Sequence, residues 1–326
     1  MQIFNNMKSR LINQEVKIVF PEGEEPRILQ AVKNLVKEKL VVPVILGNEN
    51  KISAYLEIEG VTSGFEIIDP TTYNVNEMVS ALVSRRQGKV DEAQARELLK
   101  DVNYFGVMLV YMGYAKGMVS GAIHSTADTV RPALQIIKTK PGVSRTSGAF
   151  LMVRESDHTR YMFGDCAINI QPDAQTLAEI AVETANTANL FGIDPRVAML
   201  SFSTKGSGSS PDVDRVAEAT SIAKTLRPDL ALDGELQFDA AIDMAVADIK
   251  APNSPVAGKA TVFIFPEIQS GNIGYKIAER LGGFSAVGPI LQGLNSPVND
   301  LSRGCNADDV YKLTIITATQ ALDGAN

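Results

Sequence analysis

The sequence predicts an α/β fold of two doubly wound domains with mostly parallel sheets, on three observations. Short β-branched runs alternate with helix-length amphipathic segments along much of the chain. The first triplet, Val16–Leu46, reads strand, helix, strand, a spacing whose crossover implies parallel pairing. The chain has 326 residues, and single cores stop growing near roughly 250–300 residues, so two domains are expected.

Taken in order, Val16–Phe20 is an apolar run closed by Pro21-Glu22-Gly23. Within Glu25–Lys39, Ile28, Leu29, Val32, Leu35 and Val36 recur at helical spacing, and Val41–Leu46 is the next strand, stopped at Gly47-Asn48. Gly117–Ile123 reads as a buried strand and Thr129–Lys138 as the helix after it. Helix Thr176–Leu190 precedes strand Val197–Phe202. Helix Asp212–Leu226 takes Ser210 as N-cap and Pro211 as its first residue. Strand Thr261–Phe265 leads to helix Asn272–Leu281, and a last helix runs from Asp308 to Leu322. The pattern breaks at Pro141-Gly142, at Ser156–Arg160 and at Gly288–Pro297. It places one domain before about residue 143 and another from there to about 300, and leaves the last helix unassigned.

Composition narrows the chemistry. With 45% hydrophobic and 21% charged residues the chain is ordinary globular material, neither collagenous, coiled-coil nor disordered. Lys and Arg total 31 against 38 Asp and Glu, a net charge of −7, which argues against a broad nucleic-acid face. Small anions stay admissible, because a few converging arginines outweigh the global sign locally. Cys166 and Cys305 make no disulfide framework or zinc motif, and His124 and His158 are too few for a His-based centre, so no metal is expected. No apolar run reaches the ~18–20 residues of a membrane helix. The polar N-terminus lacks a signal-peptide layout, so a cytoplasmic protein with no membrane partner is expected.

In doubly wound folds ligands bind beyond the carboxyl ends of strands, so the loops after strands hold the candidates. Ser201–Ser210 is a Gly/Ser loop that opens a helix, either a phosphate cradle or a flexible turn. His124-Ser125-Thr126, with Asp128 and Arg131, offers hydroxyls and a cation to an anion, or simply caps a helix. Gly271–Lys276 with Arg280 places Lys276 and Arg280 on one helix face, towards either phosphates or solvent. Gly288–Cys305 reads as a long, weakly apolar loop ending in Ser302-Arg303. Asp309 beyond it is a base or a first-turn helix acid, and Cys305 a nucleophile or a small buried hydrophobe.

The segments VFPEGEEPRIL, GAIHSTADTVRPALQIIKT, FGDCAIN, DGELQFDAA, FPEIQSGNIGYKIAERL and GPILQGLNSPVNDLSRGC together resemble the phosphate acetyltransferase (phosphotransacetylase) family over essentially the whole chain. The resemblance implies interconversion of acetyl-CoA plus phosphate with acetyl phosphate plus CoA, CoA being a co-substrate and no cofactor being required. It implies a homodimer and a fold like that of isocitrate and isopropylmalate dehydrogenases, with the active site in a cleft between two domains. The first domain would be discontinuous, residues 1–143 plus 301–326, and the second 144–300. Ser302 and Arg303 match the family's active-site pair, and Asp309 its general base. Arg85, Arg131 and Arg280 match arginines associated with CoA or phosphate, with Arg86 a neighbour that a one-residue shift would substitute for Arg85. Arg27 matches a more peripheral arginine, and Ser125 and Thr126 are the hydroxyls beside them. Long members carry an N-terminal regulatory region for which 326 residues leave no room. The alternatives are a phosphate butyryltransferase and, more distantly, a nicotinamide- and metal-dependent hydroxyacid dehydrogenase. The incomplete glycine fingerprint disfavours the latter.

Overall fold

The amphipathic segments fold as helices over sheets built from the apolar runs, and the stretches between them supply further elements. The computed structural model describes residues 2–324. Its chain divides into two units, one running through Lys140 and resuming at Leu294, the other Pro141–Gly293.

In the first unit α1 (Gln2–Leu11), β1 (Lys17–Phe20), α2 (Pro26–Lys37), β2 (Val42–Leu46), α3 (Glu49–Ile58) and β3 (Glu66–Ile68) are followed by three helices. These are α4 (Asn76–Arg86), α5 (Glu92–Leu98) and α6 (Val102–Tyr111); then come β4 (Gly117–Ser120) and α7 (Thr126–Ile136). Among the described residues its sheet has the order β11-β4-β1-β2-β3, where β11 (Val298–Asp300) belongs to the returning segment. All four pairings are parallel. The chain leaves β1 towards β2 and β3, then crosses back to place β4 and β11 on its other side. The strand order therefore reverses between β1 and β4, the position where such sheets open a crevice at their carboxyl ends. Ile18, Val19 and Phe20 of β1 are fully buried, as are Ile28 and Leu35 on the inner face of α2. α6 is buried on nearly every side, as its almost continuous apolar sequence requires.

The second unit contains β5 (Ser147–Arg154), β6 (Thr159–Gly164), α8 (Ala174–Leu190), β7 (Arg196–Leu200), α9 (Pro211–Leu226) and β8 (Ala231–Leu236). α10 (Phe238–Ile242), α11 (Met244–Lys250), β9 (Val262–Ile264), α12 (Ile268–Gly282) and β10 (Ser285–Gln292) complete it. Its sheet, order β10-β5-β6-β9-β7-β8, is parallel from β6 to β8 and antiparallel across β10, β5 and β6. Phe150, Phe163, Phe263 and Phe265 anchor its core. Beyond Gly293 the chain returns to the first unit and ends in α13 (Ala307–Asp323).

Several expectations change in detail. Gly288–Cys305 is not one loop: its first part completes β10, and Val298–Asp300 is β11, paired with β4 from Val298↔Met118 to Asp300↔Ser120. The return to the first unit therefore falls at Leu294 and not at 301, because β11 already lies in the first sheet. The break at Ser156–Arg160 is the turn and first residues of the β5–β6 hairpin. α7 begins three residues earlier than its apolar pattern, because Ser125 and Asp128 form a reciprocal capping box. α12 begins at Ile268, where the Glu267 carboxylate accepts from the backbone N–H groups of Gln269 and Ser270. Among the described residues no helix is long and apolar enough to cross a membrane.

Candidate active site at the carboxyl ends of the first sheet

Three adjacent strands of the first sheet, β1, β4 and β11, deliver three loops to the same end of the sheet. Glu22, just after β1, is only 4% exposed. Its carboxylate accepts the backbone N–H of Ala122 at 2.7 Å and those of Ile123 and His124 at 2.9 Å, and stands 2.7 Å from His124 Nδ1. These amides form a nest of the kind that binds anions, and here the anion is a side chain of the protein. Sequence reasoning missed Glu22. Its signal is a carboxylate placed directly after a buried strand, where no solvent was to be expected.

After β4, Gly121 has a φ of +107°, and a Cβ at this position would collide with Asp300 Oδ1 and the Leu301 backbone. This close approach seats Asp300, the last residue of β11, beneath the start of α7. Asp300 is 1% exposed; its Oδ2 accepts the Thr126 hydroxyl at 2.6 Å, and its Oδ1 has no hydrogen-bond partner among the described residues. Burial pushes its carboxyl up to about 6 against the pull of the Thr126 and Thr129 hydroxyls, and the charge of Glu22 raises it further while Arg303 lowers it. Ser125 Oγ donates to Asp128 Oδ2 at 2.6 Å, and that bond holds the Asp128 carboxyl below its usual range.

The loop after β11 closes in a turn in which the Cys305 N–H donates to the Ser302 carbonyl at 2.8 Å. Ser302 and Arg303 are exposed, and the Arg303 guanidinium has no hydrogen bond or ion pair among the described residues. Asn306 then caps α13, accepting at Oδ1 from the N–H groups of Asp308 (2.8 Å) and Asp309 (3.0 Å). Asp309 Oδ2 accepts the Asn306 N–H at 2.9 Å, so one carboxylate oxygen is fixed while the exposed side chain leaves the other free of partners among the described residues. The helix-capping and the functional readings of Asp309 are thus compatible: the cap aims the carboxylate. Cys305 is buried, and burial pushes its thiol up.

Arg27, near the start of α2, ties these loops together. Its Nε donates to Glu25 Oε1 at 2.6 Å, Nη1 to the Arg303 carbonyl (2.9 Å) and the Cys305 carbonyl (3.0 Å), and Nη2 to the Ala122 carbonyl (2.9 Å). A guanidinium has five N–H donors, so a single one is left for a ligand.

A family model described as Phosphate acetyl/butaryl transferase matches residues 2–318. The chain belongs to this family. It is 60% identical to the phosphate acetyltransferase of Bacillus subtilis (strain 168) over 322 residues, 98% of this chain and 99% of that one. The crystal structure of a phosphotransacetylase from Streptococcus pyogenes matches with a TM-score of 0.97 at 60% identity, covering 99% of this chain and 98% of that one. In fold alone, a proposed 4-hydroxythreonine-4-phosphate dehydrogenase from Salmonella typhimurium matches with a TM-score of 0.52 at 13% identity over 94% of this chain and 100% of that one.

Of the site residues that the acetyltransferase resemblance implied, the fold brings Arg27, Ser125, Thr126, Ser302, Arg303 and Asp309 to this one end of the sheet. Arg131 lies further along α7, exposed and without a hydrogen bond among the described residues. Arg85 is at the other end of α7, donating from Nε to the Ile136 carbonyl (2.6 Å) and from Nη2 to the Ile137 carbonyl (3.0 Å), beside the Tyr111 ring. Arg86 donates to the Gln135 carbonyl at 3.3 Å, so both arginines cap the C-terminus of α7. Arg280 belongs to the second unit, exposed on α12. The Gly/Ser loop there is not an open cradle. Gly206 N–H donates to the buried Glu235 at 2.7 Å, Gly208 N–H to Ser203 Oγ at 2.9 Å, and Val213 N–H to the cap Ser210 at 3.2 Å.

Proposed function

We propose that the chain transfers an acetyl group reversibly between CoA and inorganic phosphate, with the chemistry at the β11–α13 loop. One observation carries this reading. The Ser302 hydroxyl hydrogen, the Arg303 guanidinium and one Asp309 carboxylate oxygen stand exposed and free of partners among the described residues, while the charged groups around them, Glu22 and Arg27, are largely spent on holding the backbone. Membership in a family whose relatives are named phosphate acetyltransferases supports the substrates.

In the direction of acetyl-CoA synthesis the CoA thiol gives its proton to Asp309, and its sulfur attacks the carbonyl carbon of acetyl phosphate. A free thiol with pKa near ~8.5 is mostly protonated at neutral pH, so the base is needed; such a base contributes about 10²–10⁴-fold. The bond to phosphate breaks as the tetrahedral intermediate collapses, and phosphate leaves on the guanidinium fork of Arg303. The Ser302 hydroxyl donates to the oxygen that becomes negative. Reversal uses the same groups, with phosphate attacking the thioester. Transfer is direct within a ternary complex. The buried Cys305, its thiol pushed up, is poorly suited to carry the acyl group.

CoA is elongated and polyanionic. Arg131 along α7 and Arg85 at its far end, about 16 Å from its start by the helix rise, suit the phosphates of such a ligand. The exposed apolar stripe Ile273, Ile277 and Leu281 along α12 supports a homodimer that covers it. Two free cysteines suit a cytoplasmic setting.

The test is phosphate-dependent release of CoA from acetyl-CoA, read with a thiol reagent, beside the same assay with butyryl-CoA. Faster release from acetyl-CoA is expected. Preference for butyryl-CoA would make the chain a phosphate butyryltransferase.

A further inference from the structure

We propose that Asp300 is a positioning residue whose protonation decides whether the Thr126 hydroxyl can donate to a bound phosphate, so that filling the phosphate site takes up a proton. The proposal rests on the reading above that Arg303 holds the phosphate, and adds the start of α7, where Thr126 stands, to that site.

A threonine hydroxyl has one hydrogen to give. Here it is given to Asp300 Oδ2 at 2.6 Å. While Asp300 is ionised, Thr126 therefore presents only lone pairs to the crevice, and lone pairs repel an incoming anion. When Oδ2 carries a proton the bond reverses: Asp300 donates to Thr126 Oγ1, and the hydroxyl hydrogen becomes free for a phosphate oxygen. Thr126 is exposed and Asp300 is 1% exposed, so the first can reach a ligand and the second acts only through it.

The surroundings of Asp300 favour such a change. Its Oδ1 is buried without a hydrogen-bond partner among the described residues, so an ionised carboxyl there has only the hydrogen bond from the Thr126 hydroxyl to offset the loss of water. The strongest charged influences come from the two neighbouring loops. Glu22, from the β1–α2 loop, opposes the anion; Arg303, from the β11–α13 loop, favours it; α7 contributes the two threonine hydroxyls. His124 lies against Glu22. A phosphate gripped by Arg303 neutralises a cation that favours ionised Asp300 and adds negative charge of its own. Both effects drive a proton onto the carboxyl, whose unliganded pKa of about 6 already lies near neutrality. Ser125 offers no such switch, because its hydrogen is held by the half-buried Asp128, whose carboxyl is lowered.

The test uses sulfate as a competitive inhibitor against phosphate, since sulfate stays a dianion where phosphate itself titrates. The inhibition constant is measured from about pH 5 to about pH 8 for the unaltered enzyme and for Asp300→Asn, Thr126→Val and Thr126→Ser. The unaltered enzyme should bind sulfate roughly tenfold more tightly at the acid end, the scale of one hydrogen bond to a charged group. In Asp300→Asn the side-chain amide donates to Thr126 at every pH, so binding should be tight and nearly flat with pH. Thr126→Val should bind weakly throughout, and Thr126→Ser should restore the pH dependence. Persistence of the full pH dependence in Asp300→Asn overturns the switch while leaving Thr126 in the phosphate site. If Thr126→Val instead binds sulfate like the unaltered enzyme at every pH, the anion does not meet Thr126 and the switch is overturned, while the Arg303 grip stands.

Discussion

Arg27 Nη1 donates to the carbonyl oxygen of Cys305 at 3.0 Å and lies 3.7 Å from its sulfur. The same nitrogen holds the Arg303 carbonyl, and Nη2 holds Ala122 in the β4–α7 loop. One guanidinium thus sets the spacing of the segments that carry Thr126, Arg303 and Asp309. Arg27→Ala should lose about 2–4 kcal/mol of stability, as several backbone carbonyls lose a charged donor. Arg27→Lys should recover little of it, because an ammonium cannot fork across three carbonyls. Urea unfolding of both variants checks this, and wild-type stability in Arg27→Lys would contradict it.

Arg303 has the opposite character, with no partner of its own among the described residues. Arg303→Ala and Arg303→Lys should both reduce kcat/KM by roughly two orders of magnitude or more while leaving the melting temperature within a few degrees. The lysine variant is the sharper probe, since it keeps the charge and removes the planar fork. Near-normal turnover in it would mean that phosphate is not held bidentately.

Asp300 sets a pH dependence of stability. Its carboxyl is raised in the fold, from an ordinary 3.8 to about 6, so the folded state binds the proton more tightly than the unfolded state does. The stability this contributes is fully present below about pH 4, declines as pH rises, and is gone above about pH 6. Asp300→Asn removes it, so over that window the parent should lose up to about 3 kcal/mol relative to the variant. Denaturant titrations at pH 4 and pH 7 measure the difference, and parallel pH profiles for the two proteins would contradict the assignment.

For CoA, Arg131→Ala and Arg280→Ala should raise KM more than they lower kcat, the signature of uniform binding lost. Arg85→Ala should do the same and also lower the melting temperature, because the Ile136 and Ile137 carbonyls at the end of α7 lose their donors. Unchanged KM for CoA in all three would reduce these arginines to structural and surface charges.

The sequence made the parallel architecture legible because β1, β2 and β4 are buried on both faces and read as unbroken apolar runs. β11 was hidden by its composition. Its three residues are Val-Asn-Asp, and their burial depends on Asn299 bonding to α13 and on Asp300 bonding to Thr126, neither of which leaves a local signal. β10 was hidden by Gly288-Pro289 and by the irregular register between Val287 and Ile290. At the candidate site, Ser302, Arg303 and Asp309 were named from their loop and from the family resemblance; Glu22 and Asp300, whose partners lie 100 and 174 residues away, were not. Spacing reports neighbours along the chain, and these two carboxylates find theirs across the sheet.

In the proposed mechanism Asp309 takes the proton and the CoA sulfur attacks directly. Asp309→Asn should lower kcat by about two or more orders of magnitude. The fold should stay intact, because the amide oxygen can still accept the Asn306 N–H. Cys305→Ala should stay within about tenfold of the parent, any loss coming from packing. The most direct measurement is exchange of labelled phosphate into acetyl phosphate with CoA absent. Direct attack predicts no exchange until CoA is added; rapid exchange without CoA that Cys305→Ala abolishes would establish an acyl-enzyme and contradict the account.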